Sequence, residues 1–160
     1  MLQAFKLEAS MISKHDVERV FVYCNSGRLV RRSTGRRGYK RPDGYVYTRL
    51  LGNSYPEHRL VFLLHNGFMP DQVDHKNGIR CDNRIENLRE ATHAENCMNR
   101  KSMGRSSKGC YWQQKRKKWI AQIGFQGRRI TIGYFDTEKE ASMAYAKKSD
   151  ELHGEFGRTS

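Results

Sequence analysis

The chain has 160 residues, 37% of them hydrophobic, and 30 Lys and Arg face 17 Asp and Glu for a formal net charge of +13. That length holds one ordinary domain or two small ones, and so large a positive excess points to a polyanion, nucleic acid being the commonest. No apolar run approaches a membrane span, and residues 1–20 lack the apolar core and cleavage site of a secretory signal.

Cys24, Cys81, Cys97 and Cys110 are scattered, a spacing that fits neither a structural zinc site nor a disulfide framework. Reduced thiols in a cytosolic protein are expected. Residues 10–20 suit a short helix. Period-2 segments broken by turn signals follow: FVYC, the turn Asn25-Ser26-Gly27 and RLVRR read as a hairpin. Pro42-Asp43-Gly44 introduces YVYTRL, which Gly52-Asn53-Ser54 should end. Arg28, Arg31, Arg32, Arg36, Arg37, Lys40, Arg41 and Arg49 crowd this region, interleaved with Tyr39, Tyr45 and Tyr47, against the single acid Asp43. A solvated hairpin face mixes both signs, so these eight cations are expected to track a DNA backbone.

PEHRLVFLLHN, residues 56–66, predicts a buried helix opened by Pro56 and stopped by Gly67. Its His58 and His65 read as structural. Lys101 to Ser107 carries small, polar and basic residues without periodicity and reads as a linker. Beyond it, GCYWQQ (109–114), KWIAQIGF (118–125) and RRITIGYF (128–135) read as strands. A helix from about Glu138 to Leu152 follows, capped by Thr137 and closed by Gly154.

Residues 72–100 carry the chemistry. QVDH reads as a short strand ending in Asp74 and His75; a polar loop and a second strand, LREAT, follow. Thr92, with Glu95 three residues on, makes a capping box for a helix bearing Asn96. Phosphodiester hydrolysis needs a polarised phosphate, a deprotonated water and a stabilised leaving oxygen. A hard cation such as Mg²⁺ or Mn²⁺ serves the first and third and prefers oxygen ligands. Asp74 offers a carboxylate and Asn96 an amide oxygen. Side chains alternate along a strand, so His75 stands near the metal without binding it, where a general base belongs. Asn87 can hydrogen-bond loop backbone or orient the His75 ring. His93, one turn before Asn96, competes with it as a ligand.

This segment resembles the HNH, or ββα-metal, nucleases of the phage and intron homing type. The resemblance rests on Val73-Asp74-His75-Lys76-Asn77-Gly78, on Asn83 to Asn87-Leu88, on Ala94-Glu95-Asn96, and on the lead-in Glu57-His58-Arg59-Leu60-Val61. It implies His75 as the base, Asp74 and Asn96 as ligands of one metal ion, and Asn87 as the central asparagine. With Asn96 where the name-giving pattern has His, Mg²⁺ or Mn²⁺ is favoured over zinc. A single metal site cuts one strand, so nicking is expected, leaving a 5′-phosphate and a 3′-hydroxyl.

In the C-terminal segment, Trp119, Ala121 and Ile123 alternate onto one strand face, joined by Ile130 and Ile132 and covered by Ala141, Ala144, Tyr145 and Leu152. The aromatics here read as mostly core. Tyr111, Gln113, Gln122, Arg129 and Thr131 fall on the other face, beside the turn Lys115 to Lys118. Gln can address adenine and Arg guanine in a major groove, while Lys115 and Lys118 hold phosphates. Lys108-Gly109, Lys118-Trp119, Ile132 to Thr137, Glu140-Ala141 and Ala144-Tyr145 resemble the ethylene-response-factor (APETALA-like) DNA-binding domain.

The expected protein is α+β. A nuclease domain (1–100) has basic hairpins at 20–54, a lead-in helix at 56–66 and the ββα-metal motif at 72–100. A linker (101–107) joins it to a DNA-binding domain (108–160) with a three-stranded antiparallel sheet packed on one helix. It would act on double-stranded DNA as a monomer in the cytoplasm of a bacterial host, without membrane or small-molecule substrate. A non-catalytic DNA-binding regulator on a relic fold, or an RNA-binding protein, would share the charge but need not keep Asp74, His75, Asn87 and Asn96 together.

Overall fold

The computed structural model describes residues 12–99 and 107–157. Its contacts divide the chain into two compact units, one ending at Ala91 and the other beginning at Thr92. The expected linker falls largely on residues 101–106, outside the described ones. Both units mix helix and strand, so the protein is α+β.

In the first unit, α1 (Lys14–Val20) starts on a capping box in which Ser13 and Asp16 satisfy each other's backbone N–H. β1 (Phe21–Cys24) and β2 (Arg28–Arg31) form the expected antiparallel hairpin, with Phe21 opposite Arg31 and Cys24 opposite Arg28. A three-stranded sheet in chain order follows: β3 (Tyr39–Lys40), β4 (Val46–Leu50) and β5 (Asn53–Pro56). The turn signal at residues 52–54 predicts an end to the strand, yet β5 begins there. The reason is Leu51-Gly52, both at positive φ, which turn the chain in two residues and pair Leu50 with Asn53.

Pro56 stands at the N-cap of α2 (Glu57–Asn66), where its missing N–H costs no helical bond. Leu60, Val61, Phe62 and Leu63 of α2 are buried with Val17, Phe21, Leu29, Leu50, Val73 and Leu88, a single core drawn from α1, the first hairpin, β4, α2 and the β6–β7 ribbon. β6 (Gln72–His75) and β7 (Leu88–Ala91) pair antiparallel, placing Asp74 opposite Arg89 and His75 opposite Leu88. A short 3-10 turn, Ile85–Asn87, leads into β7.

In the second unit, α3 (His93–Met98) opens on the Thr92–Glu95 capping box. β8 (Cys110–Gln113), β9 (Lys118–Phe125) and β10 (Arg128–Phe135) form an antiparallel sheet with β9 central. α4 (Glu138–His153), capped by Thr137 and Glu140, lies on one face. Cys110, Ala121, Ile123, Ala141 and Tyr145 are buried between them, with Trp119, Ile130, Ile132, Phe135 and Leu152 packed around. Among the described residues, no helix is long and apolar enough to cross a membrane.

Gly27, in the turn between β1 and β2, combines positive φ with a close approach to the loop before β7. A Cβ there would lie 2.4 Å from the Arg84 nitrogen and 2.7 Å from the Asn83 carbonyl carbon. Gly52 has a similar φ but no described atom within 4 Å. Gly52→Ala should therefore cost only the left-handed strain, about 1–2 kcal/mol, and Gly27→Ala distinctly more. Urea unfolding of the two variants checks this; equal losses would mean that the hairpin does not press on the loop.

Candidate active site

The β6–β7 ribbon is four residue pairs long, and Asp74, His75 and Arg89 are buried on it where strands are usually apolar. Asp74 is 5% exposed and His75 4%. Arg89, directly across the ladder, donates from Nε and Nη2 to Asp74 Oδ2 at 2.9 and 2.8 Å. Two charged donors on one oxygen fix the carboxylate in an orientation that a lone Asp would not keep.

His75 is held from the other direction. Its Nε2 lies 3.0 Å from Oδ1 of Asn83, a residue with no solvent exposure. The Nδ2 of Asn83 points to Glu57 Oε1 at 3.5 Å, the long end of hydrogen-bond reach. Glu57 is also wholly buried and accepts from Arg28 Nε at 2.9 Å, while Arg28 Nη2 donates to Gly38 O. Burial pushes the Glu57 carboxyl above its ordinary value; Arg28, the Leu29 amide and Asn83 pull the other way. Its second oxygen, Oε2, has no hydrogen bond of ordinary geometry.

His58, from the first turn of α2, packs its ring 4.9 Å from that of His75, and Tyr45 closes the cluster at 5.2 Å from His58 and 5.9 Å from His75. Over Tyr45 sits the Arg80 guanidinium, 5.0 Å from the ring centre and donating to Asp43 O. Burial lowers the His75 pKa, partly offset by Asn83 and Asp74. His58 is pushed down to about 3 by burial, by His75 and by Arg59.

Asn87 serves the loop. It accepts from the Asn77 amide at 3.0 Å and donates to Asp82 O at 2.8 Å, and its own carbonyl receives the Lys76 amide. Asp82, gripped by both prongs of Arg84 and by Asn77, is held down at about 2. Of the two roles open to Asn87 from sequence, the loop contact is the one its hydrogen bonds make. Asn83, which the sequence offers only as the first asparagine of a motif, is hydrogen-bonded to the His75 ring. His58, read as structural, stands against the candidate base.

Asp74, His75 and Asn87 thus gather on one ribbon and its loop. Asn96 and the competing His93 stand on α3 in the second unit, with His93 Nε2 3.6 Å from Cys97 Sγ. Among the described residues, no group of three or more His, Cys, Asp and Glu clusters as a metal cage. On the ribbon, the Asp74 carboxylate is the kind of oxygen donor that suits a hard, largely hydrated cation, and a carboxylate accepts at about four lone-pair positions, so the Arg89 grip on Asp74 does not preclude a metal bond.

The basic hairpins divide. Arg28 donates to Glu57 and to Gly38 O, inside the unit. Arg31 donates to Arg49 O and lies over the Phe21 ring, and Arg32 donates to Glu18 O, so both are partly engaged. Arg36, Arg37, Lys40 and Arg49 are exposed, and Arg41 stacks 3.7 Å over Tyr47.

On the C-terminal sheet, register sets Tyr111 opposite Ile120, Gln113 opposite Lys118, Gln122 opposite Thr131 and Gly124 opposite Arg129. The five expected residues therefore share the face away from α4. Lys115 is exposed in the adjoining turn, whereas Lys118 pairs with Asp136. Gln122 donates to Thr131 Oγ1 at 3.0 Å. The aromatics are less internal than expected: Tyr111, Trp112 and Tyr134 are 42–45% exposed. Tyr111 and Tyr134 flank the buried Ile120 on the outer face, and Arg116 lies over Tyr134.

With this geometry in view, the HNH endonuclease family model matches residues 55–98, from β5 through α3. Residues 55–98 are thus similar to an HNH endonuclease domain. The chain is also similar to Protein 3.8 of Escherichia phage T7, 28% identical over 106 residues that span 63% of this chain and 87% of that protein. No solved structure matches.

Because the folded pKa of His58 lies below its unfolded value of about 6.5, the unfolded state alone gains the proton as pH falls. Its contribution to stability is complete above about pH 6.5 and is lost toward about 3. Urea midpoints at pH 7 and pH 4.5 should fall further for the wild type than for His58→Leu; equal falls would contradict a buried neutral His58.

Proposed function

We propose that the chain is a site-directed DNA endonuclease of the homing type that nicks one strand, with His75 as general base and one Mg²⁺ or Mn²⁺ ion held by Asp74 and Asn96. The observation that carries this reading is the pair Asp74 and His75, adjacent on one buried strand, each locked from outside by its own partner, Arg89 and Asn83. A core built only for stability would place apolar side chains there.

When bound, the ion would polarise the scissile phosphate and stabilise the leaving oxygen. His75 takes the proton of the attacking water; its depressed pKa keeps the ring neutral and able to accept at pH 7. Asn87 keeps the loop after His75 in one conformation, and His93 remains the rival ligand to Asn96. Arg36, Arg37, Lys40, Arg41 and Arg49 supply phosphate contacts without sequence preference. Tyr111, Gln113, Gln122, Arg129 and Thr131, with Lys115 beside them, hold the enzyme at its site. The domain limits follow as 1–100, 101–107 and 108–160, the last an ethylene-response-factor-like module. The protein would work as a monomer in the host bacterium, and the products would carry 5′-phosphate and 3′-hydroxyl ends.

Supercoiled phage or host DNA with Mg²⁺ or Mn²⁺ should yield open circles with the wild type. His75→Ala should lower the rate by about 10²–10⁴-fold with duplex binding retained. Tight duplex binding without cleavage by the wild type would favour a DNA-binding regulator instead, and linear product at the outset would overturn nicking.

A further inference from the structure

Glu57 stands at the head of a chain of contacts that the nuclease reading does not require. Arg28 Nε–H donates to Oε1 of Glu57, so this oxygen is an acceptor whatever the charge of the carboxyl. Asn83 meets the same oxygen and must turn its Nδ2 toward it. Its Oδ1 is thereby left facing His75 Nε2 at 3.0 Å. An amide oxygen only accepts, so Nε2 must carry the hydrogen. The unprotonated nitrogen of a neutral His75 is then Nδ1.

We propose that Glu57 and Asn83 are positioning residues that set the tautomer of His75, making Nδ1 the nitrogen that takes the proton from water. The proposal rests on His75 being the general base. Each link runs in one direction only. Arg28 from β2 orients Glu57 at the start of α2, Glu57 orients the Asn83 amide in the loop, and Asn83 orients the ring at the end of β6. The links join β2, α2, the loop before β7 and the end of β6 across 29, 26 and 8 residues of sequence.

The fit around Glu57 is tight. A Cβ at Gly38 would lie 2.5 Å from Glu57 Oε2 and from Tyr47 O, so the neighbouring strand closes directly over the carboxylate. A wholly buried carboxyl with one oxygen lacking an ordinary hydrogen bond is an unfavourable way to fill a core. An apolar side chain of similar size would pack there at no electrostatic penalty. What such a side chain could not do is dictate which end of Asn83 faces His75.

Long-range ¹H–¹⁵N NMR of the uncut, DNA-free protein reads the tautomer directly, whether or not the enzyme cuts. The wild-type His75 should be protonated on Nε2. In Asn83→Leu the two tautomers should mix, and in Glu57→Gln, which preserves shape, the Nε2–H form should lose part of its dominance. On supercoiled plasmid carrying a cleavable site, Asn83→Leu should lower kcat about 10–100-fold with the DNA Kd unchanged, and Glu57→Gln by less. The double variant should be no slower than Asn83→Leu alone, because both act through one path. A wild-type proton on Nδ1, or losses in kcat that multiply, would overturn the proposal. Absence of any cleavage with the Nε2–H tautomer intact would instead count against the nuclease reading and leave the relay standing.

Discussion

The Glu57 carboxylate has no contact with solvent, and its charge is met inside the fold by Arg28, by Asn83 and by the backbone around it. That arrangement ties the first hairpin, the three-stranded sheet, α2 and the loop before β7 to a common point. Losing one member of such a pair leaves a buried charge uncompensated, typically a cost of about 3–5 kcal/mol, whereas replacing both with apolar groups is often neutral. The pair therefore specifies an arrangement more than it adds stability. What it specifies is the position of His75, while the facing Asp74–Arg89 pair does the same for the neighbouring carboxylate.

Two buried polar systems thus run side by side on a ribbon only four residue pairs long. Around them the packing is apolar, with Val73 and Leu88 joining the α2 face. The neutral, desolvated His58 and the ring of Tyr45 wall His75 on one side. A base in such surroundings keeps its lone pair at neutral pH, and charges placed beside it act through a medium less screening than water. Arg36, Arg37, Lys40, Arg41 and Arg49 are exposed on the hairpins and Arg129 on the outer face of the C-terminal sheet, as expected of surfaces that meet a polyanion.

Much of this was legible in the sequence because local chemistry announced it. The capping box at Thr92, the N-cap at Thr137, period-2 alternation at 118–135 and the Pro56 start of α2 each depend on residues within a few positions of one another. Asp74 and His75 were visible for the same reason. β5 escaped because Asn53-Ser54 reads as a turn, while the turn lies at Leu51-Gly52. Glu57, Asn83, His58 and Arg28 acquired their roles from partners far along the chain, and no spacing rule signals a carboxylate that folding will bury. Arg28 looked like its exposed basic neighbours, and Asn83 like its motif companion Asn87. One clue was present: Glu57, His58 and Arg59 open a helix otherwise apolar to Leu64, and polar residues at the start of a buried helix need partners.

The claim on which the functional account turns is that Asp74 and Asn96 share one hard cation beside His75. The most direct test is an anomalous difference map from crystals of the full chain with duplex DNA and Mn²⁺. The account predicts one peak, ligated by Asp74 and Asn96 with the remaining positions on water or phosphate. A peak ligated by His93 in place of Asn96, or no peak at Asp74 at a saturating Mn²⁺ concentration, would contradict it.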